Sequence, residues 1–158
     1  MSDPDREAVA QALFALVDVT LGNVLGTIAT SQRGFMPPSR VLPAMCPALV
    51  LRQGRESFER QNGILGIPPT RTMHFEAWIY TMDGQLPSVV PAAQQNAVMG
   101  ALQDAFQPTV PNGPFPLKDS TGKQLALNAW IRGDIDYLEN YAGDGRSLMI
   151  VPLQVLLQ

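Results

Sequence analysis

His74 and Cys46 are each the only residue of their kind among 158, so one imidazole and one thiol are the only side chains whose ordinary pKa lies near neutrality. His74 stands beside Phe75 and Glu76, and a general base built on it would draw on Glu76 and on Asp134 in a cleft beside a sheet. On an alternating segment with Trp78 and Tyr80, the same imidazole also reads as a packing or interface residue. Cys46, between Met45 and Pro47 and far in sequence from His74, reads as a small apolar packing residue with no base to activate it. Asp134 and Asp136 alternate, which places two carboxylates about 7 Å apart on one strand face, the start of an acid/base pair or half a calcium site. Leu138 occupies the next place where a calcium loop needs Asp or Asn, so the pair reads as solvated surface. Arg132-Gly133-Asp134 spells an adhesion tripeptide, but inside an expected strand rather than a displayed loop. No metal-ligand spacing, glycine-rich phosphate cradle or nucleophile elbow occurs. The expectation is a protein with no metal, no cofactor and no catalytic centre.

Charge narrows the partners. The chain carries a formal net charge of −3, with only 16% charged residues and 46% hydrophobic ones. A nucleic-acid grip needs a basic stripe. The nearest approach, Arg52, Arg55 and Arg60, is interleaved with Glu56 and Glu59 and reads as a charge-balanced solvated loop segment. So little surface charge suits a molecule partly covered by other subunits. Acidic residues at positions 3, 5 and 7 replace the positive start of a secretion signal, and the apolar stretches at 41–51 and 148–157 are broken by Pro43, Pro47 and Pro152, so no membrane is expected as a partner. The length suits one domain over residues 1–158.

The elements that would position these residues follow from periodicity. Asp3 caps and Pro4 opens a first helix with Val9, Leu13, Leu16 and Val17 on its apolar stripe, widened by Ala10, Phe14 and Leu21 and stopped at Gly22. A proline-rich loop at 22–43 follows, in which Phe35 and Met36 either fold back on the core or dock on a neighbour. Strands are expected at 44–51 and 72–82, the second with Phe75, Ala77 and Ile79 on one face, and an extended connection at 53–71 joins them. Pro91 opens a second helix whose stripe is Val90, Ala93, Ala97, Val98, Ala101, Leu102, Ala105 and Phe106, with Gln94, Gln95, Gln103 and Asp104 pointing away. Two strands, 125–138 and 147–157, close the chain as a hairpin around Asp144. Their buried positions are the odd ones, from Leu125 to Tyr137 and from Met149 to Leu157. The fold class is α+β: a mixed or antiparallel sheet of about four to five strands, two main helices packed on one face, and a C-terminal β-hairpin.

An aromatic strand end at Ala77-Trp78-Ile79-Tyr80, a helix over 93–106 closing on Gln107-Pro108, a Gly/Pro-rich loop, then Trp130-Ile131-Arg132-Gly133-Asp134-Ile135 and Val151-Pro152-Leu153-Gln154-Val155 together resemble tail terminator proteins of long-tailed bacteriophages. The likeness spans residues 47–157 and is one of pattern and order. It implies a virion tail or neck protein, assembled in the host cytoplasm, that forms a cyclic homo-oligomer, commonly a hexamer. Such a ring caps the tail tube protein, ends its polymerisation and presents a surface to head–tail connector or neck proteins. Interfaces do this work without chemistry, and an acidic lumen lets DNA pass without specific binding. The interface residues expected on this basis are Phe35 and Met36 for docking, Arg52, Arg55, Glu56 and Glu59 for polar contacts between subunits, and Asp144 and Arg146 at the hairpin tip. The alternatives are a head-side neck or completion ring, and a small cytosolic enzyme or ligand-binding domain using His74.

Overall fold

The computed structural model describes residues 5–59, 70–82 and 91–157. Helix α1 (Arg6–Leu25) is capped by Asp5, whose carboxylate accepts from the Ala8 amide; the expected cap Asp3 and Pro4 lie outside the described residues. The helix runs through Gly22 and ends at Gly26, where a φ of 80° is what a glycine accepts and other residues resist. Gly22 therefore does not stop it. With mean hydropathy 1.7 over its best window, α1 is itself long and apolar enough to cross a membrane; here Val9, Ala10, Leu13, Val17 and Leu21 are buried in the core.

Strand β1 (Thr30–Gln32) lies inside the expected loop and pairs in parallel with the start of β2 (Ala48–Glu59). Short 3-10 turns at Pro38–Arg40 and Pro43–Met45 precede β2, so the strand begins after the prolines rather than at 44. It then runs on through residues expected as loop, because β3 (Thr70–Met82) pairs with it antiparallel from Ala48↔Tyr80 to Glu59↔Thr70, with a register shift between Gln53 and Glu56. Helix α2 (Pro91–Ala105) follows, with Val98, Met99 and Leu102 buried and Phe106 just beyond its end. Ala93 and Ala97 are exposed and Gln95 is fully buried, so the stripe is rotated from the expected one. Gln95 is drawn inward by a carbonyl: its Nε2 donates to Leu148 O at 3.2 Å.

The expected single strand over 125–138 is broken into three. Strand β4 (Leu117–Lys118) pairs with β5 (Gln124–Ala126) as a separate small sheet, while β6 (Asn128–Ile131) and β7 (Asp136–Leu138) both pair antiparallel with β8 (Arg146–Leu156). Ala126 and Ala129 are both buried while Leu127 is exposed, so the inside–outside phase flips at Leu127. A second break lies between Ile131 and Asp136, where four residues stand opposite only Val151 and Pro152 of β8. Gly133 turns there at φ 119°. The main sheet has six strands in the order β1-β2-β3-β8-β6, with β7 beside β6 along the same edge of β8.

Both helices contribute to one core on one face of this sheet, where Leu49, Leu51, Phe75, Ala77, Ile79, Met149, Val151, Leu153 and Val155 meet Leu13, Val17, Val98 and Leu102. The α+β class with two helices on one face is therefore what the chain adopts. A smaller core forms on the opposite face from Ala48, Val50, Tyr80 and Leu148 under Val41, with Met36, Met45, Cys46 and Tyr141 packed against it.

Candidate interaction surface

Met36 folds back. It packs on the smaller core, and its carbonyl accepts a hydrogen bond from Tyr80 Oη at 3.2 Å, while burial holds the Tyr80 phenol above its ordinary pKa. Phe35 is divided between the two expected roles: its ring meets Trp78 edge-on at 5.1 Å and lies under the Arg52 guanidinium, yet it stays 48% exposed.

The polar residues expected between subunits occupy strand β2, not a loop, and part of their charge is satisfied within the chain. Glu56 receives two bonds from Arg6 of α1, at 2.7 and 2.9 Å, the forked pairing that a guanidinium gives a carboxylate. Arg52 stands 3.5 Å from Glu76 in an exposed pair. Arg55 and Glu59 are exposed on the same strand. At the hairpin tip, Arg146 is half-buried; it donates to Asp144 at 2.9 Å and to the Val41 carbonyl, so this residue locks the 33–47 segment onto β8. That bond holds the Asp144 carboxyl below its ordinary range. A side chain already committed to Asp144 and to a backbone carbonyl serves the fold first.

What sequence reasoning missed is an edge. β1 pairs with only Ala48, Leu49 and Val50, so from Leu51 to the end of β2 the outer edge has no strand partner among the described residues. In that stretch β2 passes from buried to mostly exposed residues, and Phe58 is 57% exposed with Arg71 over its ring. At the opposite edge of the sheet β7 likewise has no outer strand partner among the described residues, and its Tyr137 and Leu138 are each 44% exposed. Unpaired edges carrying large apolar side chains are the feature that isolated domains suppress. Arg52, Arg55, Glu56, Glu59 and the β2 bulge blunt the first edge without covering it. The run of charge around Phe58 was the available signal, and it reads as loop unless the pairing of β3 is known.

The elements of an enzyme are only partly brought together. His74 and Glu76 share a cleft of about 510 Å³ on the helix-free face, but Asp134 does not line it. His74 Nε2 is 3.0 Å from Ser57 Oγ, and burial first, then the charges of Arg55 and Arg132, keep the imidazole below its ordinary pKa. Asp134 and Asp136 are exposed, and only Asp136 is in a strand. Among the described residues no group of three or more His, Cys, Asp or Glu is placed to hold a metal.

No family model matches the chain, and no curated protein does. Among solved structures it is similar to a chain of the virion of a native gene transfer agent particle, at 18% identity over 98% of this chain and 96% of that one, with a TM-score of 0.49.

Proposed function

We propose that the protein is a structural virion component that assembles into a closed ring at the end of a phage-type tail, capping the tube and joining it to the head connector. The observation that carries the reading is the pair of unlike open edges on one sheet, β2 with Phe58 on one side and β7 with Tyr137 and Leu138 on the other. Two different patches that pair with each other repeat around an axis and make a ring when the rotation closes, whereas a single self-complementary patch stops at a dimer. Phe35 and its aromatic neighbour Trp78 supply a further apolar surface on the helix-free face. The resemblance of residues 47–157 to tail terminators supplies the place in the tail, and the acidic balance suits a channel through which DNA slides.

Sedimentation velocity and negative-stain microscopy test this reading. The wild-type chain is expected as a ring. Phe58→Glu and Leu138→Glu each spoil one edge and give monomers, and mixing the two restores a heterodimer through the edges left intact. A wild-type chain that stays monomeric at every concentration, or two variants that do not pair, overturns it.

A further inference from the structure

We propose that the cleft on the helix-free face, between the outer half of β2 and the turn after β6, is a binding site for a single carboxylate group. The ligand class is a monoanionic carboxylate, whether free or carried on an acidic side chain, and the site does not depend on ring formation.

Two arginines face this cleft, Arg55 from β2 and Arg132 from the β6–β7 turn. Four others, Arg6, Arg33, Arg52 and Arg146, have a carboxylate within ion-pair distance. Arg55 and Arg132 have none among the described residues, although Asp134 is only two residues from Arg132. A guanidinium is an obligate cation whose donors match a carboxylate's two oxygens, and two of them flanking one cleft make a receptor for an oxyanion.

The backbone holds both rims close to the floor. Gly54 precedes Arg55, and a Cβ there would meet the His74 carbonyl at 3.2 Å; Gly133 follows Arg132, and a Cβ there would meet Pro152 Cγ at 3.1 Å on a φ that other residues resist. Each arginine is therefore set beside a glycine that lets the backbone approach β3, at the β2 register shift, or β8, at the turn after β6.

The floor decides the charge of the ligand. Facing His74 are Arg55 and Ser57 from β2, Glu76 from β3 itself, Gln154 from β8 and Arg132 from the turn. With the imidazole neutral at pH 7, the lining carries two positive charges and the one negative charge of Glu76, a surplus of one. A carboxylate balances that surplus, whereas a sulfate dianion would overfill it against Glu76. Arg52, the partner of Glu76, stands outside the lining in an exposed and screened pair. Burial first, then the two guanidinium charges, hold the imidazole neutral; a bound anion offsets the charges, so His74 takes up a proton more readily when the site is filled. Ser57 remains hydrogen-bonded in either state, because a hydroxyl donates to neutral Nε2 and accepts from the protonated ring.

His74 is the only histidine, so its ring Cε1–H is a single resolved reporter in an NMR titration of the full chain. The titration is run in chloride alone, then with acetate, with N-acetyl-tetraglutamate, and with sulfate. Acetate or the peptide is expected to raise the His74 midpoint in a saturable way. The response should weaken about tenfold or more in Arg55→Gln and Arg132→Gln, the scale of one charge-assisted hydrogen bond, and stay unchanged in Arg40→Gln. A response to both probes assigns a free carboxylate, and a response to the peptide alone assigns a carboxylate borne on a protein chain. A midpoint that neither probe moves, that sulfate moves as strongly, or that moves equally in the Arg55 and Arg132 variants overturns the proposal. Monomeric wild-type protein that still binds would count against the ring alone.

Discussion

Gln95 is the buried polar residue whose replacement tests the packing logic most directly. It has no exposed surface; Nε2 holds the Leu148 carbonyl at 3.2 Å, and Oε1 is buried without a hydrogen-bond partner among the described residues. Gln95→Ala removes that bond, worth about 1 kcal/mol, and leaves volume that the α2–β8 contact cannot refill, for a further cost of about 1–2 kcal/mol. Gln95→Met keeps the volume. Both variants lose the same bond of about 1 kcal/mol and both delete an orphaned acceptor whose burial costs about 1–3 kcal/mol, so the Met net is neutral or stabilising and the Ala variant lies below it by the cavity cost. Leu148 tolerates the change because β8 has strand neighbours on both sides there, Tyr80 and Leu138. Equilibrium urea unfolding followed by the fluorescence of Trp78 and Trp130 reads the difference: with an m-value of about 2 kcal/mol/M, the midpoint of the Ala variant lies about 0.5–1 M below that of the Met variant, which stays at or above the wild-type value. A Met variant that falls well below wild type would refute the reasoning, since it would mean that both ends of the amide are satisfied in the folded chain, and a Met variant that falls as far as the Ala variant would remove the cavity cost.

Gly22→Ala is expected to stabilise by about 0.5–1 kcal/mol, because it lies inside α1 with nothing within 4 Å of a new Cβ, whereas Gly133→Ala destabilises by about 1–3 kcal/mol through its φ of 119° and the Pro152 contact. Thermal unfolding separates the two by sign. The depressed His74 pKa means that the unfolded chain binds the extra proton first; stability is full above the unfolded value of about 6.5 and falls as pH drops through it toward the folded value. Denaturation at pH 7.5 and 5.5 should show a loss that shrinks in His74→Gln. Arg146→Ala should open the 33–47 segment to limited proteolysis while the helical circular dichroism persists, because its bond to the Val41 carbonyl and its pair with Asp144 lie within one chain.

Local pattern alone was enough for the elements whose neighbours lie on one side. The α1 face from Val9 to Leu21, the alternation of β3 around Phe75, Ala77 and Ile79, and the four alternating apolar positions of β8 from Met149 to Val155, with Leu157 just past its end, were legible because each repeats one period against one core. With them came the α+β class and the helices on one face. Tertiary pairing decided the rest. Residues 52–59 look like solvated loop and are strand only because β3 lies beside them. The run 125–138 alternates without a gap in sequence, but Leu127 and Gly133 reset the phase to suit β8, which no local signal records. Gln95 is polar by type and buried by the position of one carbonyl. The residues able to do chemistry were visible as His74, Glu76 and Asp134, yet only the folded sheet places Arg55 and Arg132 beside the first two and leaves the third outside. Sequence fixes which side chains prefer water, and that preference is local; which strand edges stay open and which cations stay unpaired depends on partners far along the chain, and so belongs to the three-dimensional structure.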